Sequence, residues 1–225
     1  MRRIAVVIPA GGAGRRMGSV AKPLLELGGL PMLQRSIQPF LDRDDVHWVI
    51  IALPAELAAS PPHWLMGDRR VDVLAGGAER GDSVRNALAA VPMEAEIVLV
   101  HDAARPLVSA EVIERCVAAA AEGRSAIAGM PIVDTIKEVD GDGCIVSTPD
   151  RRTLWAAQTP QAFPAEVLRD AHARAAADRI STTDDAALVA RYGGTVMVVE
   201  GAADNLKITT PADLAIAEAL IARRS

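Results

Sequence analysis

Aromatic side chains are nearly missing from this chain of 225 residues: two Phe, one Tyr and three Trp make up 3 % of it. Half of the residues are nonetheless hydrophobic, with Ala, Val, Leu and Ile dominant. That mixture suits buried parallel strands covered by Ala-rich helices. An excess of positive charge is also lacking. The net charge of −5 excludes a surface that is basic overall, as nucleic-acid binding would need, but a few Lys and Arg in a pocket can still hold a small anion. The two cysteines, Cys116 and Cys144, have no Cys-x-x-Cys spacing, so a disulfide framework or thiolate metal site is not expected. The histidines are scattered without ligand spacing, which argues against a zinc centre. No run approaches the ~20 apolar residues of a membrane span. The apolar run at 4–8, behind Met1-Arg2-Arg3, is too short for a signal peptide and ends in Pro9 and a glycine loop. The expectation is a cytoplasmic protein that binds neither nucleic acid nor membrane.

What is present is alternation. Short β-branched runs at 3–8, 48–53, 71–74, 97–101 and 125–130 read as buried strands. Helical patterns lie at 31–40, 82–91 and 109–122, the first opened by Pro31 and the last by Ser109 as a plausible N-cap. Residues 54–66, broken by Pro61-Pro62, predict a short helix and a loop. A helix at 164–177, another at 184–192, a strand at 195–200 and a last helix at 211–223 complete the pattern. The order predicts a doubly wound, mostly parallel sheet with helices on both faces, in a single domain spanning 1–225. One interruption stands out: 135–139 and 144–147 read as two strands joined by the turn Asp140-Gly141-Asp142-Gly143. Such a hairpin projects as an arm, about 132–153, and its open edges invite a second copy of the chain.

Ligands of open α/β sheets bind beyond the carboxyl ends of the strands. The first strand runs into Ile8-Pro9-Ala10-Gly11-Gly12-Ala13-Gly14-Arg15-Arg16-Met17-Gly18, followed by Lys22. Glycines let backbone N–H groups approach a polyphosphate, and Arg16 and Lys22 add charge beside it; the alternative is a glycine turn with solvated arginines. A Walker A loop is excluded because no Gly-Lys-Ser/Thr closes it. A dinucleotide fingerprint is excluded because its third glycine would fall at Met17. After the third strand, Gly76-Gly77-Ala78-Glu79-Arg80-Gly81-Asp82-Ser83 either offers backbone and the Ser83 hydroxyl to a base or ribose, or Asp82 or Ser83 caps the helix. His101-Asp102-Ala103-Ala104-Arg105-Pro106 ends the fourth strand. There Asp102 is placed to face a metal-bound triphosphate and Arg105 to hold a phosphate, unless the two simply pair with each other. Lys207 is either a cation near phosphate or an exposed lysine.

In order, these segments resemble the 2-C-methyl-D-erythritol 4-phosphate cytidylyltransferase family. The most discriminating are 101–106, Leu154-Trp155 with Gln158-Thr159-Pro160-Gln161, Thr183-Asp184-Asp185-Ala186, and Asp204-Asn205-Leu206-Lys207-Ile208-Thr209. The resemblance implies a Rossmann-like fold of the nucleotide-diphospho-sugar transferase type. It also implies transfer of CMP from CTP to the phosphorylated polyol methylerythritol 4-phosphate, with Mg²⁺ or another divalent cation, in non-mevalonate isoprenoid precursor synthesis. By similarity, Arg16 and Lys22 stabilise the transition state, while Arg151 and Lys207 position the acceptor. Ala10, Gly11, Gly12, Gly14, Gly77, Ala78 and Ser83 match the nucleotide contacts. Asp102, Arg105 and Thr135 match the acceptor and metal region, with Asp102 as the metal ligand. The family's homodimer crosses its arms, which would carry Arg151 to the partner's site.

Two departures are visible: Ala21-Lys22-Pro23 stands where the family usually has Pro-Lys followed by Gln or Ala, and Arg151-Arg152 is doubled. Arg151 lies four residues before Trp155, as the pattern requires, with Arg152 as the neighbouring alternative. The rival readings are ribitol-5-phosphate cytidylyltransferase, a nucleotide-dependent oxidoreductase, and a non-catalytic nucleotide sensor. The misplaced glycine weighs against the second and the filled cationic positions against the third.

Overall fold

The computed structural model describes residues 2–11, 21–182 and 184–224. Its centre is a seven-stranded sheet in the order β11-β7-β10-β6-β1-β4-β5, made of β1 (Ile4–Pro9), β4 (Val46–Leu53), β5 (Val71–Ala75), β6 (Ile97–Val100), β7 (Ser125–Pro131), β10 (Trp155–Pro164) and β11 (Val196–Glu200). Two pairs stand apart from it: β2 (Glu26–Leu27) with β3 (Leu30–Pro31), and β8 (Glu138–Val139) with β9 (Ile145–Ser147). The helices are α1 (Met32–Leu41), α2 (Ala55–Ala59), α3 (Arg80–Ala90), α4 (Ala110–Ala121), α5 (Ala165–Asp178), α6 (Asp185–Arg191) and α7 (Pro211–Arg224).

Side-chain alternation along the strands sorts these helices onto two faces. Ile4, Val6 and Ile8 of β1 pack with Phe40 of α1 and Val112, Ile113 and Cys116 of α4. Ala5 and Val7 point the other way, into Val84 and Leu88 of α3, Leu168 of α5 and Val189 of α6. All five β1 residues from Ile4 to Ile8 are fully buried, which is why that run reads as continuously apolar rather than alternating. The doubly wound, mostly parallel arrangement expected from the sequence is present. Ser109 caps α4 as expected, its side chain accepting from the Val112 N–H. Of the described residues, no helix is long and apolar enough to cross a membrane.

The one antiparallel member, β10, was not expected. It lies between β6 and β7 and runs against both. Two prolines and three polar residues disguise it, since proline normally marks an edge strand or a bulge. Here Pro160 falls in the register break between Ala157 and Gln161, where the ladder is already interrupted, and Pro164 ends the strand. The break turns Gln158 and Thr159 toward the segment before α7. Gln158 Nε2 donates to the Ala202 carbonyl at 2.8 Å, and Asn205 Nδ2 donates to Gln158 Oε1 and to the Thr159 carbonyl at 3.0 and 2.9 Å. Ile208 N–H then reaches the Ala104 carbonyl at 2.8 Å. A polar stretch that looks like loop in the sequence therefore fixes Lys207 beside the end of β6.

Smaller differences lie at the helix starts. Helix α1 opens at Met32, with Pro31 as its cap rather than its first residue. Helix α3 opens at Arg80 behind Glu79, whose side chain and that of Asp82 form a reciprocal capping box. The helix thus begins before the 82–91 span expected, its N-cap is Glu79 rather than Asp82 or Ser83, and Asp82 contributes from the third helical position.

Phe163 of β10 is fully buried on the face packed against α3, α5 and α6. Phe163→Ala is expected to lower the unfolding free energy by about 3–5 kcal/mol, read as a shift in urea midpoint with little change of slope.

Candidate active site at the carboxyl edge

The strand order reverses at β1: the chain moves outward through β4 and β5, then returns to place β6 on the other side. The crevice above this switch point is a cavity of about 280 Å³. Pro9 to Gly11 reach it from β1, Gly77 and Ala78 from β5, and Asp102 from β6, and Lys22 and Lys207 complete its lining.

Its β5 side is built from backbone held at close quarters. Gly76 N–H donates to the Leu53 carbonyl at 2.7 Å, and Ala10 N–H to the Ala52 carbonyl at 2.8 Å. The Ser83 hydroxyl accepts from Gly77 N–H and donates to the Glu79 carbonyl, both at 3.1 Å. Ser83 thus staples the loop to the first turn of α3. Gly77 is the residue that this geometry dictates, because a Cβ there would lie 2.2 Å from the Cβ of Asp82. Lys22 opens a 3-10 turn, Lys22–Leu24, and Pro23 is buried in it. The Lys-Pro departure is therefore accommodated by a turn in which proline fits the early position.

The opposite side is electrostatic. Asp102 is buried and bridges two cations: Arg80 Nε lies 3.0 Å from Oδ1 and Lys207 Nζ 2.7 Å from Oδ2. Burial alone would raise its pKa, but Arg80 and Lys207 outweigh that and hold the carboxyl well below the usual range. Arg80 Nη1 continues to Asp185 Oδ2 at 2.8 Å, and His172 Nε2 meets Asp185 Oδ1 at 2.9 Å. Burial disfavours the Arg80 charge, yet Asp185 and Asp102 together raise its pKa above the ordinary value.

Arg105 does not pair with Asp102. It is buried behind the cavity, donating to the Asn205 carbonyl at 2.7 Å and the Ala157 carbonyl at 3.1 Å, and burial lowers its pKa. His101, fully buried, donates from Nε2 to the Arg105 carbonyl at 3.0 Å, since a carbonyl can only accept. Its Nδ1 therefore accepts from the Thr159 hydroxyl at 3.1 Å, whose oxygen in turn accepts from Asp102 N–H at 3.0 Å. This places His101 in a structural relay beneath Asp102.

Of the residues singled out from the sequence, Ala10, Gly11, Lys22, Gly77, Ala78, Ser83, Asp102 and Lys207 converge on the one cavity. Thr135 is exposed on the arm. Arg151 stands at the arm's base, donating to the Val133 carbonyl at 2.7 Å, while Arg152 pairs with Asp150 at 2.6 Å. Gly12, Gly14, Arg16 and Thr183 lie outside the described residues. Among the described residues no cluster of three or more His, Cys, Asp or Glu is arranged to hold a metal. The cavity offers Asp102, already neutralised by two cations, and Glu79, which is engaged in the α3 cap. A cage made only of protein ligands does not fit here. A magnesium ion carried in by phosphates, keeping its waters and taking one carboxylate, does.

The family model for 2-C-methyl-D-erythritol 4-phosphate cytidylyltransferase matches residues 4–223. The chain belongs to this family. The curated cytidylyltransferase of Prochlorococcus marinus (strain MIT 9313) is 44 % identical over 98 % of this chain and 99 % of its own length. That of Syntrophotalea carbinolica is 48 % identical over 96 % and 95 %. The crystal structure of the cytidylyltransferase from Thermus thermophilus superposes with a TM-score of 0.82 at 36 % identity, covering 97 % of this chain and 98 % of that one. The 4-diphosphocytidyl-2C-methyl-D-erythritol synthase of Anaerococcus prevotii superposes with a TM-score of 0.88 at 27 % identity, covering 99 % of both. The cytidylyltransferase match thus takes in the cavity and the arm alike.

Sequence reasoning gave no role to Arg80, Asp185 or His172, although Asp185 falls in the 183–186 segment that carries the family resemblance. A signal existed for the first. A cation in the first turn of a helix sits at the wrong end of the macrodipole, so Arg80 needs carboxylates to hold it there.

His101 has a consequence for acid stability. Burial pushes its pKa from 6.5 down to about 4, so between those values the unfolded chain binds a proton that the folded chain refuses. Stability therefore falls as pH drops through that window, by roughly 3 kcal/mol from this residue. Urea titrations at stepped pH should show that decline in the wild type, and His101→Gln should flatten it.

Proposed function

We propose that the chain transfers CMP from CTP to 2-C-methyl-D-erythritol 4-phosphate, releasing pyrophosphate, within the supply of isoprenoid precursors. The observation that carries this reading is the convergence of Lys22, Lys207, Asp102 and the glycine-lined backbone on one crevice, in a chain of this family. An acceptor phosphate oxygen forms a bond to the α-phosphorus of CTP. The bond from that phosphorus to the bridging oxygen breaks, and its electron pair leaves on pyrophosphate. The acceptor's second phosphate pKa is about 6, so it arrives as a dianion and needs no general base. The difficulty is the approach of two anions, which cations and fixed dipoles relieve.

In this reading Lys22, with Arg16, stabilises the charge that develops on the phosphates. Lys207 positions the acceptor, Gly77, Ala78 and Ser83 shape the nucleotide side, and a divalent cation enters with the triphosphate and meets Asp102. Arg105 supports this side from behind, through the carbonyls it holds. The protein works as a single domain, in the cytoplasm.

The same reading makes the arm a dimer contact. Val133, Val139, Ile145, Val146 and Trp155 are all exposed on it or at its base, and β8 and β9 pair only with each other among the described strands. A second copy covering this apolar ribbon would bring Thr135 and Arg151 to the partner's crevice. Val146→Asp is expected to shift the protein from dimer to monomer in sedimentation analysis. A wild type that is monomeric at assay concentrations would remove the arm from this role.

Pyrophosphate release should be measured with Mg²⁺ for each nucleoside triphosphate against methylerythritol phosphate and ribitol phosphate. Release with CTP and methylerythritol phosphate alone is expected. Lys22→Met should lower it by roughly 100-fold or more, the scale of losing one transition-state contact. Turnover with ribitol phosphate instead would keep the chemistry and change the acceptor.

A further inference from the structure

The crevice has two sides, and one side chain ties them together. Arg80 is the first residue of α3, directly after the 76–79 loop of the nucleotide side, and its Nε holds Asp102, whose other oxygen holds Lys207. Its Nη1 is anchored behind the crevice on Asp185, the first residue of α6, which is braced by His172 of α5. Neither Asp185 nor His172 lines the cavity. Both are almost wholly buried, with 2 % and 6 % of their surface exposed.

We propose that Arg80, anchored by Asp185 and His172, is a positioning residue that sets the place of Asp102 and Lys207 relative to the nucleotide loop. The inference rests on the acceptor-side reading of Lys207 given above. The physical reason is directionality. A guanidinium presents its N–H groups in a rigid planar fork, so Arg80 can meet carboxylates on two different elements at fixed angles. A lysine in its place would be a point charge on a flexible stem. With Asp185 fixing one side of the fork, the other side fixes the Asp102 Oδ1 edge and leaves Oδ2 for Lys207. Without the anchor, Asp102 and Lys207 keep their charges but lose their common position, and errors of about 1 Å at a reacting centre can cost up to roughly 100-fold.

The decisive variants sit away from the crevice, and the Arg80 fork is the side chain that joins them to it. Asp185→Asn and the milder His172→Gln are compared with wild type by steady-state kinetics for each substrate, and by pulse acylation of the Lys207 amine read by mass spectrometry. Expected is a loss of about tenfold in kcat/KM for the acceptor, with the KM for CTP within about twofold, and several-fold faster acylation of Lys207. Arg80→Lys should recover part of what Arg80→Met loses. If acceptor kinetics and Lys207 labelling stay at wild-type levels in Asp185→Asn, the inference is wrong. Equal losses for both substrates together with unchanged labelling would also overturn it, since that is the signature of general loosening. If the wild type itself releases no pyrophosphate, the proposed reaction fails, and the labelling comparison still decides the role of Arg80.

Discussion

A carboxylate taken out of water is tolerated only where cations meet it, and Asp102 is the point at which this chain must satisfy that condition. It stands at the end of β6, in the middle of the sheet, where the doubly wound topology opens its crevice. One cation comes from α3 and the other from the segment before α7. Removing one partner of such a buried pair typically costs about 3–5 kcal/mol, because the charge left behind is uncompensated. The helix starts, the β10 irregularity and the last loop are therefore constrained together. Each must deliver its group to the same few ångströms, and the crevice takes its shape from that requirement.

The strands that the sequence reveals are those whose position makes them uniformly apolar. β1 and β6 are covered on both faces, so nothing but Val, Ile, Leu and Ala is tolerated along most of their length. β10 is equally central yet stayed hidden, because its buried Gln158, Thr159 and Gln161 answer hydrogen-bond needs elsewhere rather than packing. A polar run that is fully satisfied in three dimensions looks the same in one dimension as a polar run in solvent. The β8–β9 hairpin was legible for the opposite reason: its turn is local, and glycine and aspartate declare it.

The site divides in the same way. Gly11 and Lys22 could be marked in advance because a glycine loop and a cation beside a strand end are local signals, whereas Gly77 and Lys207 were marked only through the family resemblance. Arg80 could not be assigned its role, since its partners lie 22 and 105 positions away. Nor could Arg105 be told from a pocket residue. Only the fold shows that its guanidinium is turned to the carbonyls of Asn205 and Ala157, where it braces the loop that carries Lys207.

Charge explains why such bracing is needed. The whole chain carries a net charge of −5, so an incoming triphosphate is repelled by most of the surface. In the crevice the balance reverses: Lys22, Arg80 and Lys207 face Asp102 and Glu79. Low-dielectric walls then focus the field of that local positive excess into the crevice. The same excess would push the cations apart when no substrate is bound. Asp102 and Asp185 prevent this by holding Lys207 and Arg80 in place beforehand. Reorganisation at the moment of reaction is thereby avoided, and fixed charge is the form of stabilisation that phosphoryl chemistry rewards most. Asp102 is thus a clamp on the two cations that line the crevice with it, holding Arg80 and Lys207 at the end of β6.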